Sequence, residues 1–147
     1  DPSVLGLWQY IKDGQPAERL AVLPLGEREY LVAYPAGTEG GLFFRACLWK
    51  GPDRTLAQLE WLGTAGGKPP GTNQVFQFAA YSVSNDTLLV RLVNPDTVSR
   101  AAATPEALAA ALAAHAGDPA LFRDAVIFRR AVAPPLLQPR QCRPTAP

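Results

Sequence analysis

The candidate for phosphate chemistry in this sequence is a glycine-rich run, Gly63-Thr64-Ala65-Gly66-Gly67-Lys68. A phosphate-binding loop needs a glycine directly before such a run and a Ser or Thr directly after its lysine, so that backbone N–H groups and a hydroxyl meet the phosphates and Mg²⁺. Leu62 and Pro69 occupy those two positions. The run is therefore not expected to bind a nucleotide.

The remaining reactive residue types are too few and too scattered for catalysis. The single histidine, His115, follows a helix-forming stretch, where a favourable interaction with the C-terminal helix dipole accounts for it. A Ser-His-Asp triad would need a nucleophile motif, which is not visible, and one histidine with two distant cysteines makes a poor metal site. We therefore predict that the protein is not an enzyme and that it has no cofactor and no metal.

Composition limits the partners. The chain has 147 residues, 48% of them hydrophobic, and a formal net charge of +1, with acidic and basic residues interspersed. This charge provides no patch for nucleic acid, and no apolar stretch approaches the ~20 residues of a membrane span. The sequence predicts one folded domain with no nucleic-acid partner and no transmembrane segment.

The two cysteines leave two alternatives open. Cys47 lies inside a predicted strand and Cys142 in a proline-rich tail. Either they form a disulfide that ties the tail to the folded domain, or one is a buried and the other an exposed thiol.

The chain begins at Asp1 and contains no methionine. Either the chain has been trimmed, or it is a mature form whose leader has been removed, and a leader that ends in a lipidated cysteine is a natural candidate.

Alternating apolar residues and turn signals dominate the chain before residue 95. The Asn85-Asp86 pair between two alternating runs indicates a hairpin. A final alternating run follows the helical segment. The predicted strands are 6–11, 18–25, 29–34, 42–49, 55–62, 75–83, 87–93 and 124–132.

One helix interrupts this pattern before the last strand. Thr104 suits the N-cap, Pro105 the first helical position, and residues 107–114 are almost all strong helix formers, ending before Gly117. Prolines then exclude regular structure from the end of the chain. We predict a domain over residues 1–133 and a tail over 134–147.

Eight strands joined by short connections are most economically closed into a barrel, because closure removes aggregation-prone edges. The predicted fold class is therefore mainly β: an antiparallel eight-stranded barrel with one α-helix before the last strand. The interior of such a barrel is either filled by side chains or open for one small ligand.

Gly6 and Trp8 at the start of the first strand, and Arg130 late in the last one, resemble the floor of the lipocalin-type calycin barrels. The family's threonine-aspartate-tyrosine triplet in a mid-barrel loop is absent. The resemblance implies that Arg130 stacks on the Trp8 indole at the barrel floor. It also suggests a lipocalin-like domain of the bacterial cell envelope, periplasmic or lipid-anchored as a lipoprotein.

Two functions follow as hypotheses. The first is binding of a small apolar or amphipathic molecule in the barrel mouth. The second is a filled barrel acting as a protein-interaction module, an envelope assembly factor or enzyme inhibitor that contacts its partner through loops such as 63–72. The residues predicted to line the ligand site, each on the more apolar face of its strand, are Tyr30, Val32, Phe44, Phe76, Phe78, Val90 and Phe128.

Overall fold

A computed structural model describes residues 1–50, 54–67, 76–98 and 105–131. These residues form a closed antiparallel barrel in which each strand pairs with the next and the last pairs with the first. The strands are β1 (Gly6–Lys12), β2 (Gln15–Pro24), β3 (Glu29–Tyr34), β4 (Leu42–Lys50), β5 (Thr55–Thr64), β6 (Phe76–Ser84), β7 (Thr87–Leu92) and β8 (Val126–Arg130). The helix α1 (Pro105–Ala114) precedes β8.

The pairing register decides which face of each strand points into the barrel. Trp8 stands opposite Leu20 on β2 and opposite Arg130 on β8. Because directly paired residues project from the same face of a sheet, the inner face can be followed around the whole barrel from this point. The buried inner residues form one core cluster: Trp8, Leu20, Val22, Tyr30, Ala46, Leu88 and Phe128, joined by Val4 of the N-terminal turn Pro2–Val4.

A second core lies outside the barrel wall. The α1 residues Leu108 and Leu112 are buried in one cluster with Leu56 of β5 and with Val98 and Leu121 of the segments flanking the helix. Leu56 is only 1% exposed, although it projects from the outer face of its strand. The helix therefore covers part of the outer wall and makes that part apolar.

The fold class is confirmed, and the strand bounds differ mainly at their ends. β2 begins three residues before its predicted start, because the β1–β2 turn consists only of Asp13 and Gly14, both with positive φ. Pro16 is accommodated opposite Ile11, beside a register irregularity. The turn predicted at Asn85-Asp86 is present, with Asn85 at φ 51°. The N-cap Thr104 and the tail 134–147 lie outside the described residues.

Candidate functional site

One end of the barrel, here called the floor, is closed around Trp8. Its side chain is 0% exposed, and its indole N–H donates to the Val4 carbonyl at 2.8 Å. The Arg130 guanidinium carbon lies 4.2 Å from the centroid of the Trp8 ring. This distance is well within the range of a cation–π interaction. The strand closure between β1 and β8 thus brings together two residues from opposite ends of the sequence.

Arg130 also holds the N-terminal turn across the floor. Its two terminal nitrogens donate to the carbonyls of Leu5 and Ser3, each at 3.0 Å. Gly6 has φ +123°, and a Cβ at this position would lie 3.2 Å from an Arg130 nitrogen. A side chain at position 6 would therefore meet both a strained backbone and a crowded guanidinium.

Two inward-facing tyrosines complete the floor. The Tyr81 hydroxyl donates to an Asp1 carboxylate oxygen at 3.0 Å, and the Tyr30 hydroxyl donates to the Asp1 carbonyl at 3.4 Å. Burial, and then the neighbouring Tyr30, raise the pKa of Tyr81 above its ordinary value. The Tyr81 hydroxyl therefore stays protonated as a donor at neutral pH.

The opposite end of the barrel, here called the mouth, is where β1, β3, β5 and β7 end and where β2, β4, β6 and β8 begin. The Tyr34 hydroxyl donates to a Glu18 carboxylate oxygen at 2.5 Å. The Tyr34 and Tyr10 rings pack on the buried Phe128 ring, with centroid distances of 5.9 and 5.7 Å. Burial raises the pKa of Tyr34 far above its ordinary value, and the Glu18 carboxylate raises it further.

The wall between floor and mouth is apolar and only partly buried. The inward-facing residues Val32, Leu59, Val90 and Val126 pack against the core cluster, yet each is half-buried. Side chains in the middle of a filled small barrel would be closed off from solvent on all sides. The buried members of the core cluster lie at the floor and in the middle of the barrel, whereas none of the described inward-facing strand residues at the mouth is buried.

Five of the seven predicted lining residues lie on the inner face. Tyr30 and Phe128 are buried in the core cluster, Val32 and Val90 line the wall, and Phe44 pairs with Val32 near the mouth. Their role in ligand binding stays a prediction.

The predicted inward orientation of Phe76 and Phe78 is wrong. Both lie on the outer face of β6, where Phe78 packs in the α1 cluster with its ring 6.5 Å from that of Trp49. Phe76 pairs in register with Glu60 and is 47% exposed. The prediction assigns the more apolar face of β6 to the interior, but the docked helix requires an apolar outer face as well.

The sequence prediction omitted four residues of the mouth: Tyr10, Glu18, Tyr34 and Trp61. Alternation alone could have found two of them, because Tyr10 shares a face with Trp8 and Tyr34 shares a face with Tyr30. Trp61 pairs with Phe44 beside a β-bulge. Because the bulge adds one residue to β5, simple alternation counted back from the end of this strand assigns Trp61 to the wrong face. No sequence signal marks Glu18.

Cys47 lies on the outer wall of the barrel. Its sulfur is 3.8 Å from a Glu29 carboxylate oxygen. Burial, followed by the charge of Glu29, raises the pKa of the Cys47 thiol. Its predicted partner Cys142 lies outside the described residues, so the disulfide stays a prediction.

The other residues considered for chemistry are far apart. His115 follows α1, and its Nδ1 atom lies 3.6 Å from an Asp118 carboxylate oxygen on the surface. Among the described residues, no three His, Cys, Asp or Glu side chains are grouped to hold a metal ion. Within the same ranges, no helix is long and apolar enough to cross a membrane.

Comparison of the chain with protein-family models, with curated proteins and with solved structures finds no match. The fold and the two barrel ends define its class: a small closed antiparallel β-barrel with one helix docked on its outer wall.

Proposed function

We propose that this protein is a non-enzymatic, lipocalin-like barrel of the bacterial cell envelope that binds a small apolar or amphipathic molecule through its mouth. The observation that carries the proposal is the contrast between the two ends of the interior. The floor is sealed by Trp8 and Arg130, whereas Val32, Leu59 and Val90 further along the wall are half-buried.

This contrast suits a site that opens in one direction. Ligand sites are mostly apolar, with a few polar groups that orient the ligand. The mouth provides aromatic rings from Tyr10, Tyr34 and Trp61, two phenol hydroxyls and one carboxylate. An apolar tail would lie along the valine-rich wall, and a polar head would remain among these groups.

The envelope location is the part of the proposal that rests on the sequence. It is supported by the resemblance of Gly6, Trp8 and Arg130 to the lipocalin floor and by the cysteine pair. A lipid anchor upstream of Asp1 belongs to the same proposal. Fractionation of the native host into cytoplasm, periplasm and membranes would test this part independently of binding.

Titration with a fluorescent apolar probe tests the binding function. We expect one-to-one stoichiometry and a rise in melting temperature, because a ligand of the folded state stabilises it by mass action. Val32→Trp would fill the interior and should weaken probe binding at least about tenfold, which corresponds to about 1.4 kcal/mol. Ile127→Trp, on the exposed outer face of β8, is the matched control and should bind normally.

The alternative is a protein-interaction module with a filled barrel. It is favoured by the outer wall of β2 and the turn after it, where Leu23 and Leu25 are 50% and 47% exposed. If no apolar probe binds the folded protein, or if Val32→Trp binds as well as the wild type, the interior is not the site. The interaction function would then take its place.

A further inference from the structure

We propose that the mouth selects ligands that carry a positive charge, an amine or quaternary ammonium on an apolar body, and disfavours carboxylates. This inference rests on the proposed function and names its ligand class. The observation behind it is the hydrogen bond between the Glu18 carboxylate and Tyr34, whose ring packs together with that of Tyr10 on Phe128.

The backbone holds Glu18 in place. The Gln9 side-chain amide donates to the carbonyls of Ala17 and Glu18 at 2.8 and 3.2 Å, where the β1–β2 register is irregular. The Tyr34 hydroxyl then binds one carboxylate oxygen. Since an ionised carboxylate has about four acceptor positions, the group keeps capacity to accept a hydrogen bond from a ligand ammonium.

None of the ion pairs among the described residues involves Glu18. The ion pairs of arginine in these ranges join Arg45 to Glu60 on the outer wall and Arg130 to Asp86 at the floor end. Lys12 on β1 is the described lysine nearest to Glu18 in the sequence. It pairs in register with Gln15 in the hairpin and forms no ion pair with Glu18. The negative charge of Glu18 is therefore available to a ligand cation at the mouth.

The aromatic rings at the mouth favour the same kind of ligand. Tyr34 and Tyr10 both contact Phe128, so their positions are set by the core. Aromatic faces attract ammonium groups through the ring quadrupole, and aromatic cages with a nearby carboxylate are suited to quaternary ammonium groups. A ligand carboxylate would meet repulsion from Glu18 and the negative ring faces.

Three probes with one apolar body and different head groups test the inference: dodecyltrimethylammonium, dodecanol and dodecanoate, used below micelle-forming concentrations. Each is measured by displacement of the fluorescent apolar probe at low salt. We expect the cation to bind about tenfold more tightly than the carboxylate, a ratio that falls as salt is added. Glu18→Gln should bring this ratio close to one, because it removes the charge and keeps the size of the side chain.

Glu60→Gln is the matched control, because it removes a carboxylate from the outer wall, and it should leave the ratio unchanged. Tyr34→Phe keeps the ring and should retain part of the preference. If dodecanol binds but the cation has no advantage, or Glu18→Gln leaves the ratio unchanged, the charge selection is refuted and the binding function stands. If none of the three probes binds, both proposals fail.

Discussion

Trp8 and Arg130 show at the residue scale how a barrel end is closed. The indole is buried by the guanidinium on one ring face and by the N-terminal turn, whose carbonyls accept hydrogen bonds from Arg130. A single cation therefore stabilises an aromatic ring and satisfies two backbone acceptors. Loss of either residue would expose apolar surface and leave polar groups unpaired.

We expect Trp8→Ala to lower the free energy of unfolding by about 3–5 kcal/mol, because it leaves a large cavity in the fully buried floor. Denaturant unfolding followed by circular dichroism would measure the loss. Trp61→Ala, at the half-exposed mouth, is the control and should cost less than half as much. Equal losses for the two variants would contradict a special role for the floor.

At the scale of single elements, β6 shows the limit of strand patterns. Both of its faces are apolar: Ala79, Tyr81 and Val83 face the interior, and Phe78 and Ala80 face α1. Alternation with a period of two assigns the residues of a strand to two faces, but it does not indicate which face lies inside the barrel. The docked helix decides this, because it gives the outer face a partner to bury.

Phe78→Ala should therefore destabilise the protein by about 2 kcal/mol, roughly half the cost for a fully buried phenylalanine, through loss of packing under α1. Phe76→Ala, two residues away on the same face but exposed, should change stability by less than about 0.5 kcal/mol. Thermal unfolding distinguishes them. Neither variant should alter binding of the apolar probe, and a loss of binding in Phe78→Ala alone would contradict the outer placement.

At the scale of the whole molecule, a Cys47–Cys142 bond would connect the barrel wall to the tail. Closing a loop of about a hundred residues should add about 4–5 kcal/mol to the free energy of unfolding. We expect Cys142→Ser to lose this increment under non-reducing conditions, and the wild type to lose it on reduction. Peptide mapping of the non-reduced protein would show the linked peptides directly.

The thiol pKa provides the control for this experiment. Because burial and Glu29 raise the pKa of Cys47, its thiol in Cys142→Ser should alkylate slowly near neutral pH and faster as the pH rises. Slow labelling of Cys47 alone is therefore not evidence for the disulfide. Labelling of both cysteines in carefully non-reduced wild type would rule it out.

The sequence by itself determined the number, order and type of the elements. Alternation, the Asn85 turn and the alanine-rich helix depend on local backbone and side-chain preferences, which act over a few residues. The spacing of Gly6 and Trp8 and the face shared by Phe128 and Arg130 are equally local, so the sequence alone predicts the floor residues. Five of the seven lining candidates also fell on the inner face, because their strands have one clearly more apolar side.

Only the tertiary structure decided the outer placement of Phe78 and the meeting of Glu18 with Tyr34. The first depends on where α1 docks, and the second joins residues on the neighbouring strands β2 and β3, at the part of β2 that pairs irregularly with β1. Neither outcome is encoded in a local period. Both follow from closing the sheet into a barrel, since closure fixes which face is enclosed and which side chains share each end.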